Sequence, residues 1–204
     1  MAPRTPLFRP NAYFATRSDV LFLGLTVFAL YVVETLVLFY ALMYLLLDQI
    51  RDAPPALESA MNEVFSTVAV FTVFIAVVAL LVVAAIVHYG SGGTDTDGTF
   101  ADAVSVAGWA YAPELVTMPL SYLAARREIA TLTFDGSDPA TLQRQFEAVQ
   151  QSVGPASFVI LLATVVWSVY ILAAGTAGTH DVDVRKTILP ALLVGFGSFL
   201  LGVT

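Results

Sequence analysis

Five apolar runs occupy most of the chain, and each is long enough to cross a lipid bilayer as a helix. A transmembrane α-helix needs about 20 predominantly apolar residues to span a hydrocarbon core about 30 Å thick. Hydrophobic residues make up 58% of the 204 residues and charged residues only 12%, against about 25% charged in soluble domains. We therefore predict an all-α polytopic integral membrane protein, a single membrane domain over residues 1–204 with five transmembrane helices. The predicted spans cover about residues 20–47, 64–89, 103–125, 155–174 and 187–204.

The third run, AVSVAGWAYAPELVTMPLSYLAA over residues 103–125, differs from the other four. It holds two prolines, Pro113 and Pro119, and a carboxylate between them, Glu114. A proline inside a helix has no N–H to donate to the carbonyl four residues earlier, and its ring clashes with that turn. We therefore predict that the third helix is kinked at these prolines and that neighbouring groups satisfy the freed carbonyls.

The connections between the runs are polar, and two of them carry further apolar patterns. The N-terminal arm, residues 1–19, alternates apolar pairs with arginines, which is typical of a segment at the level of the lipid headgroups. In the longest connection, apolar residues recur at helical spacing, and we predict an amphipathic loop helix over about 139–153. The glycines of GTAGT at 175–179 predict the end of the fourth span.

Composition excludes several classes of function. The chain has no cysteine, so it forms no disulfide and offers no thiolate nucleophile or cysteine-based zinc site. Lysine and arginine number 9 against 16 acidic residues, and they form no cluster of the kind that binds nucleic acid. The net charge of −7, on loops rich in aspartate, is typical of proteins from a cytoplasm at very high salt, where screening makes acidic crowding tolerable. We predict no cofactor and no nucleic-acid partner.

Glu114 and Glu34 are the acidic residues within the predicted spans. An ionisable group at membrane depth costs at least about 2.5 kcal/mol on insertion scales, so each needs a physical reason. Three interpretations remain open: a protonated group hydrogen-bonded to a neighbouring helix, a group lining a water-filled cavity on an ion path, or a catalytic acid. Small and polar residues lie around Glu114 at helical spacing, and this polar stripe must face protein or water rather than lipid. It comprises Ala107, Tyr111, Glu114, Thr117, Met118 and Ser121, and Glu34 could face it from the first span.

The two histidines offer only a weak metal pattern. His88, His180, Asp181 and Asp183 could meet if the second and fourth connections lie on the same side, but the chain has no close His-x-x-x-His pair. We predict no metal site from this set. The His-Glu-x-x-His, paired-aspartate and Gly-x-Ser-x-Gly motifs of intramembrane proteases are also absent. We therefore predict that the protein is not an enzyme and has no catalytic residue.

Five spans place the two termini on opposite sides of the membrane. With the N-terminus inside, the inner segments carry five of the nine lysine and arginine residues and the outer segments carry four. The three arginines of the arm, which directly precede the first span, favour a cytoplasmic N-terminus by the positive-inside rule. We predict a multi-pass protein of the cell membrane in this orientation.

Three stretches of the sequence carry a resemblance to a known family. They are LFRPNAYF in the arm, GTFADAVSVAGWAYAPELVTMPLSYL entering the third span, and THDVDVRKTILPALL entering the fifth. The chain resembles the Yip1-domain membrane proteins, in particular their prokaryotic branch. The resemblance implies five spans with a cytoplasmic N-terminus; eukaryotic relatives act without known catalysis, partnering prenylated small GTPases and one another in vesicle traffic. This chain lacks their long cytoplasmic N-terminal region, which leaves small GTPase binding in doubt.

We therefore expect a non-enzymatic protein of the Yip1 type, a membrane scaffold or a bilayer-organising or trafficking-type protein that acts through helix–helix contacts. Its expected partners are the lipid bilayer and other membrane helices, including those of a second copy. The alternative is a small transporter or channel that uses the intramembrane Glu114 and Glu34. Familiar transporters contain internal repeats related by symmetry, and the five unequal runs show no obvious repeat.

Overall fold

The computed structural model describes residues 5–16, 20–51, 56–131, 134, 135, 141, 144 and 155–203. The described part is almost entirely helical, with a short 3₁₀ turn at Gly93–Asp95 and one pair of two-residue strands. Seven helices have described bounds: α1 (Pro10–Phe14), α2 (Val20–Asp48), α3 (Leu57–Gly90), α4 (Phe100–Trp109), α5 (Ala112–Ile129), α6 (Pro155–His180) and α7 (Val184–Val203).

Four described helices are long and apolar enough to cross a membrane, which confirms a helical multi-pass membrane protein. They are α2, α3, α6 and α7, and they correspond to the first, second, fourth and fifth predicted spans. The third predicted span is divided between α4 and α5, which have 10 and 18 residues. Large apolar side chains lie exposed on the outer faces of the bundle, for example Phe71 and Phe74 of α3 and Leu193 of α7. Contact with lipid tails explains such a surface, since these side chains would be unfavourable in water.

The helix bounds differ from the predicted spans at three places. α3 begins at Leu57 rather than near residue 64, and α7 begins at Val184 rather than near 187. The predicted break at 175–179 is wrong, because α6 continues through these residues to His180. Glycine disfavours a helix by only about 1 kcal/mol relative to alanine, and tertiary packing overrides that preference. Here Gly178 lets the backbone of Asn11 approach so closely that a Cβ atom would meet its carbonyl group.

Three contacts show that one end of each of the helices α2, α3, α4, α6 and α7 lies on the same side of the bundle. Ser105 near the start of α4 donates a hydrogen bond to the carbonyl of Val20, the first residue of α2, at 2.6 Å. Gly90 at the end of α3 lies against Pro190 of α7. His88 of α3 reaches His180, the last residue of α6. We call this side of the bundle the arm end.

A pair of two-residue strands lies at the opposite end of the bundle. Ile50–Arg51, directly after α2, pairs in parallel with Phe134–Asp135, which follows α5. The pairing was not predicted, because two-residue strands leave no periodic pattern in the sequence. Of the predicted amphipathic helix over 139–153, only residues 141 and 144 are described, so this prediction lies outside the described part of the chain.

The N-terminal arm packs into the bundle rather than only lying along the headgroups. Trp167 Nε1 of α6 donates to the carbonyl of Leu7 at 2.9 Å, and the Tyr170 hydroxyl donates to that of Phe8 at 3.0 Å. Tyr13 and Phe14 of α1 are buried. The arm therefore covers the half of α6 that runs toward the arm end.

Candidate functional site

The first half of the third predicted span is packed tightly against α2. Thr99 and Asp102 form a capping box that starts α4. The following residues, Ala103–Gly108, are all buried. Gly108 lies against Gly24 of α2, where a Cβ atom would be 2.6 Å from the Gly24 carbonyl carbon. Two glycines thus allow two helix backbones to touch, the arrangement that small residues support in membrane bundles.

The helix is interrupted in the middle of this span. α4 ends at Trp109 and α5 begins at Ala112, so Pro113 is the second residue of α5 rather than a residue within a continuous helix. Its missing N–H prevents the bond that would continue α4. The backbone N–H of Glu114 bonds the carbonyl of Tyr111 rather than that of Ala110, and the Ala110 carbonyl accepts a hydrogen bond from Ser168 Oγ of α6 at 2.7 Å. Pro119 lies inside α5, which continues past it to its end at residue 129.

A cavity of about 410 Å³ lies beside this interruption, with a rim of apolar and hydroxyl-bearing side chains. Residues from α2, α3, α5, α6 and α7 line it, so it is a feature of the whole bundle and not of one helix. The polar lining residues are Tyr31, Tyr111, Glu114, Thr117, Ser121, Thr164 and Ser198.

Glu114 stands in the first turn of α5, and its backbone N–H bonds the carbonyl of Tyr111 at 3.0 Å. Two tyrosines flank its carboxyl group. The rings of Tyr31 and Tyr111 stack with centroids 4.6 Å apart, and the Tyr31 hydroxyl interacts with the Glu114 carboxyl group. Phe28 packs edge-on against Tyr111 at 5.4 Å and holds that ring in place.

Hydroxyl groups continue the polar lining away from Glu114. Thr117 Oγ1 donates to the carbonyl of Pro113 at 3.1 Å, and Ser121 Oγ donates to that of Thr117 at 3.3 Å. Thr164 of α6 lies 2.9 Å from the Thr117 hydroxyl and joins the two helices. Since each hydroxyl oxygen keeps lone pairs, this wall remains rich in hydrogen-bond acceptors.

A smaller cavity of about 50 Å³ adjoins the first on the side of α4. The two cavities share Tyr111, Glu114, Val165 and Ser198, and the smaller one also reaches Ala107 and Ser168. The six residues of the predicted polar stripe all line one or both cavities. The stripe is therefore turned toward the centre of the bundle.

Glu34 occupies a different place. It is not among the residues that line either of these two cavities, so the structure does not bring it into the Glu114 site. Its side chain is half-buried on α2, and within the described part of the chain its buried Oε2 has no hydrogen-bond partner. The two intramembrane carboxyl groups are thus separate features.

The histidines meet as a pair at the arm end. His88 Nδ1 and His180 Nε2 are 2.9 Å apart, and both side chains are buried. His180 Nδ1 is 2.8 Å from the Thr179 hydroxyl. Asp181 is exposed, and Asp183 accepts from the backbone N–H of Arg185 at 2.8 Å. Among the described residues, no group of three or more histidine and acidic side chains is arranged to hold a metal ion.

The chain matches a known protein family. The family model described as "Yip1 domain" matches residues 6–204. The chain belongs to the Yip1 domain family. The match includes the arm, the long helices and the interrupted span, so the cavity beside Glu114 is built from residues within the Yip1 domain. No curated protein and no solved structure matches the chain.

Three polar residues of the Yip1 domain cavity were not predicted to belong to the site: Tyr31, Thr164 and Ser198. A signal existed for one of them. Thr164 and Ser168 are four residues apart on an otherwise apolar span, so their hydroxyls share one helix face, and that face meets α5 and Ala110. Tyr31 could not be distinguished from an ordinary packing aromatic, because nothing local to α2 indicates that it meets Glu114.

Proposed function

We propose that this Yip1 domain is a non-enzymatic scaffold that organises the bilayer through contacts with other membrane helices, foremost those of a second copy. We assign it to the cell membrane with the arm end cytoplasmic, and to the prokaryotic branch of its family. In this proposal α4 and α5 together cross the membrane as the third of five spans, kinked around Pro113 and Pro119. The bilayer and membrane helices are its partners, and GTPase binding is not part of the proposal.

The outer face of α7 carries the proposal. Leu189, Leu193, Phe196 and Leu200 recur at helical spacing and are 66, 60, 63 and 48% exposed. Gly197 lies beside them, and a Cβ atom at that position would meet nothing within 4 Å. A large apolar ridge next to a glycine lets another helix approach closely, which is how membrane helices associate without a hydrophobic driving force.

Cross-linking in the membrane tests this assignment, since the chain has no native cysteine. We expect Gly197→Cys in native vesicles to form a disulfide-linked dimer on oxidation with copper phenanthroline. Phe74→Cys is the matched control, because Phe74 is 65% exposed on the outer face of α3. Equal cross-linking of both variants would indicate random collision and would contradict the scaffold assignment on this face.

A second candidate function rests on the cavity. A small transporter or channel needs a polar space within the bundle, and interrupted helices at membrane depth are where such proteins place their sites. The cavity of about 410 Å³ beside Glu114 meets that description. Cation flux into proteoliposomes tests it: flux that Glu114→Gln abolishes and Glu34→Gln leaves intact would favour transport, whereas no flux above empty liposomes would exclude it.

A further inference from the structure

We propose that the cavity beside Glu114 is a binding site for a small organic cation with an apolar body, of the quaternary-ammonium class. This goes beyond the scaffold assignment. It shares the cavity with the second candidate function but requires only binding, not transport. Three properties of the lining carry it: charge, aromatic faces and size.

The charge of the lining selects a cation. Glu114 is the one carboxylic acid among the described lining residues, and no lysine, arginine or histidine is among them to neutralise it. The hydroxyls of Thr117 and Ser121 already donate to backbone carbonyls, so they offer lone pairs rather than hydrogens, and Thr117 also accepts from Thr164. An anionic ligand would find no charged donor here, whereas a cation gains an opposite charge in a region of low dielectric.

The two tyrosines supply a second recognition element. A cation within about 6 Å of an aromatic centroid is attracted by the negative face of the ring. Tyr31 and Tyr111 both line the cavity beside Glu114 and are fixed by their mutual stacking. Aromatic faces are the surfaces with which proteins recognise quaternary ammonium groups, and here they stand next to a carboxyl group.

The size and apolar part of the lining match an organic ligand better than a divalent metal ion. A divalent ion such as Ca²⁺ needs six to eight oxygen ligands at short distance, and the cavity offers one carboxyl group in a space of about 410 Å³. That volume falls in the usual range for small organic ligands, about 300–1,000 Å³. Met118 and Leu161 give the lining an apolar side that suits the body of such a ligand, and Leu201, which is 80% exposed, lies at its open edge.

Equilibrium binding to the full chain in lipid nanodiscs tests the proposal. Radiolabelled tetraphenylphosphonium is the probe, and empty nanodiscs give the partition into lipid. We expect saturable binding to the protein that benzyltrimethylammonium displaces and that its neutral isostere neopentylbenzene does not. Equal displacement by both compounds, or binding no greater than in empty nanodiscs, would overturn the proposal.

Two glutamate variants locate the site. Glu114→Gln should weaken binding by at least about tenfold, because loss of one member of a partly buried charge pair costs several kcal/mol. Glu34→Gln is the matched control and should stay within about twofold, since Glu34 lies outside the cavity. Unchanged affinity of Glu114→Gln, or an equal loss in both variants, would contradict the assignment.

A third variant covers the case in which Glu114→Gln does not yield a monodisperse protein. Tyr111→Leu keeps the carboxyl group and removes one aromatic face, and a threefold to thirtyfold loss, roughly, is expected for a cation–π contact. No loss would contradict the proposal. Saturable cation binding without flux would contradict the transport function and support this binding site. Flux without saturable cation binding would support transport and contradict the binding site.

Discussion

The two halves of the third predicted span differ sharply in packing. In α4 every residue from Ala103 to Gly108 is buried, whereas in α5 only Ala112, Pro113 and Ile129 are. The packed half is made of small residues and meets a glycine on α2. The loose half has Pro113 in its first turn and carries Glu114 and the hydroxyl groups of Thr117 and Ser121 that line the cavity. The contrast teaches that one span can both fix the bundle and leave space within it.

The predicted effects of substitution follow this contrast. Residues of α4 should control whether the bundle forms, because their contacts join backbones directly. Substitutions in α5 should change the free energy of unfolding only slightly and should instead change which ligands enter the cavity.

Gly108→Leu should have the largest effect on stability. A side chain there would collide with the Gly24 backbone, which cannot rotate away. We expect a loss of about 3 kcal/mol or more in the free energy of unfolding, the upper end for overpacked sites. Unfolding by SDS titration, followed by circular dichroism, measures it. Ala163→Leu, at an exposed position of α6, should stay near wild type, and equal losses in both variants would contradict the close backbone contact.

The docking of the arm should depend on two donors of α6. The double variant Trp167→Phe and Tyr170→Phe keeps two aromatic rings but removes both hydrogen bonds to the arm. Each such bond contributes about 1 kcal/mol net, so we expect faster hydrogen exchange at the amides of α1. Tyr44→Phe is the control, because it removes a hydroxyl that donates to Asn62 of α3 at 3.1 Å, at the opposite end of the bundle from the arm. Unchanged exchange in the double variant would show that apolar packing alone holds the arm.

Two serine-to-alanine changes compare the halves directly. Ser105 is buried in α4 and donates to the Val20 carbonyl at 2.6 Å, while Ser121 is half-buried in α5 and donates within its own helix at 3.3 Å. We expect Ser105→Ala to cost about 0.6–1.5 kcal/mol of unfolding free energy and Ser121→Ala close to none. The same SDS titration measures both. A larger loss for Ser121→Ala would reverse the proposed roles of the two halves.

The sequence predicts where the helices lie along the chain better than it predicts which residues of different helices contact each other. Hydropathy locates the long helices because lipid demands apolar residues and internally satisfied backbones. The prolines predict a kinked third helix, whereas the structure has two helices here, of which the first ends at Trp109 and the second continues past Pro119. Glycines at 175–179 misled the prediction, because a glycine that admits a neighbouring backbone looks locally like a helix end.

The site was predictable in part. The spacing around Glu114 identified one wall of the cavity, since residues of one helix face must share an environment. The opposite wall could not be identified, because Tyr31 and Ser198 come from distant helices whose mutual rotation depends on packing. The contact of the arm with Trp167 was inaccessible for the same reason, since it joins residues 160 apart through a backbone carbonyl.

The contrast between a tightly packed α4 and an α5 that lines a cavity is tested most directly by the accessibility of single cysteines along the interrupted span. Variants Ala103→Cys, Ala107→Cys, Met118→Cys and Ser121→Cys would be labelled in intact vesicles with a membrane-impermeant thiol reagent, with Asp97→Cys as an exposed loop control. Because residues 118 and 121 line the larger cavity, we expect both to be labelled, and we expect no labelling at 103 and 107, which are 0% exposed. Equal labelling of the two halves, or no labelling at 118 and 121 while the loop control reacts, would contradict it.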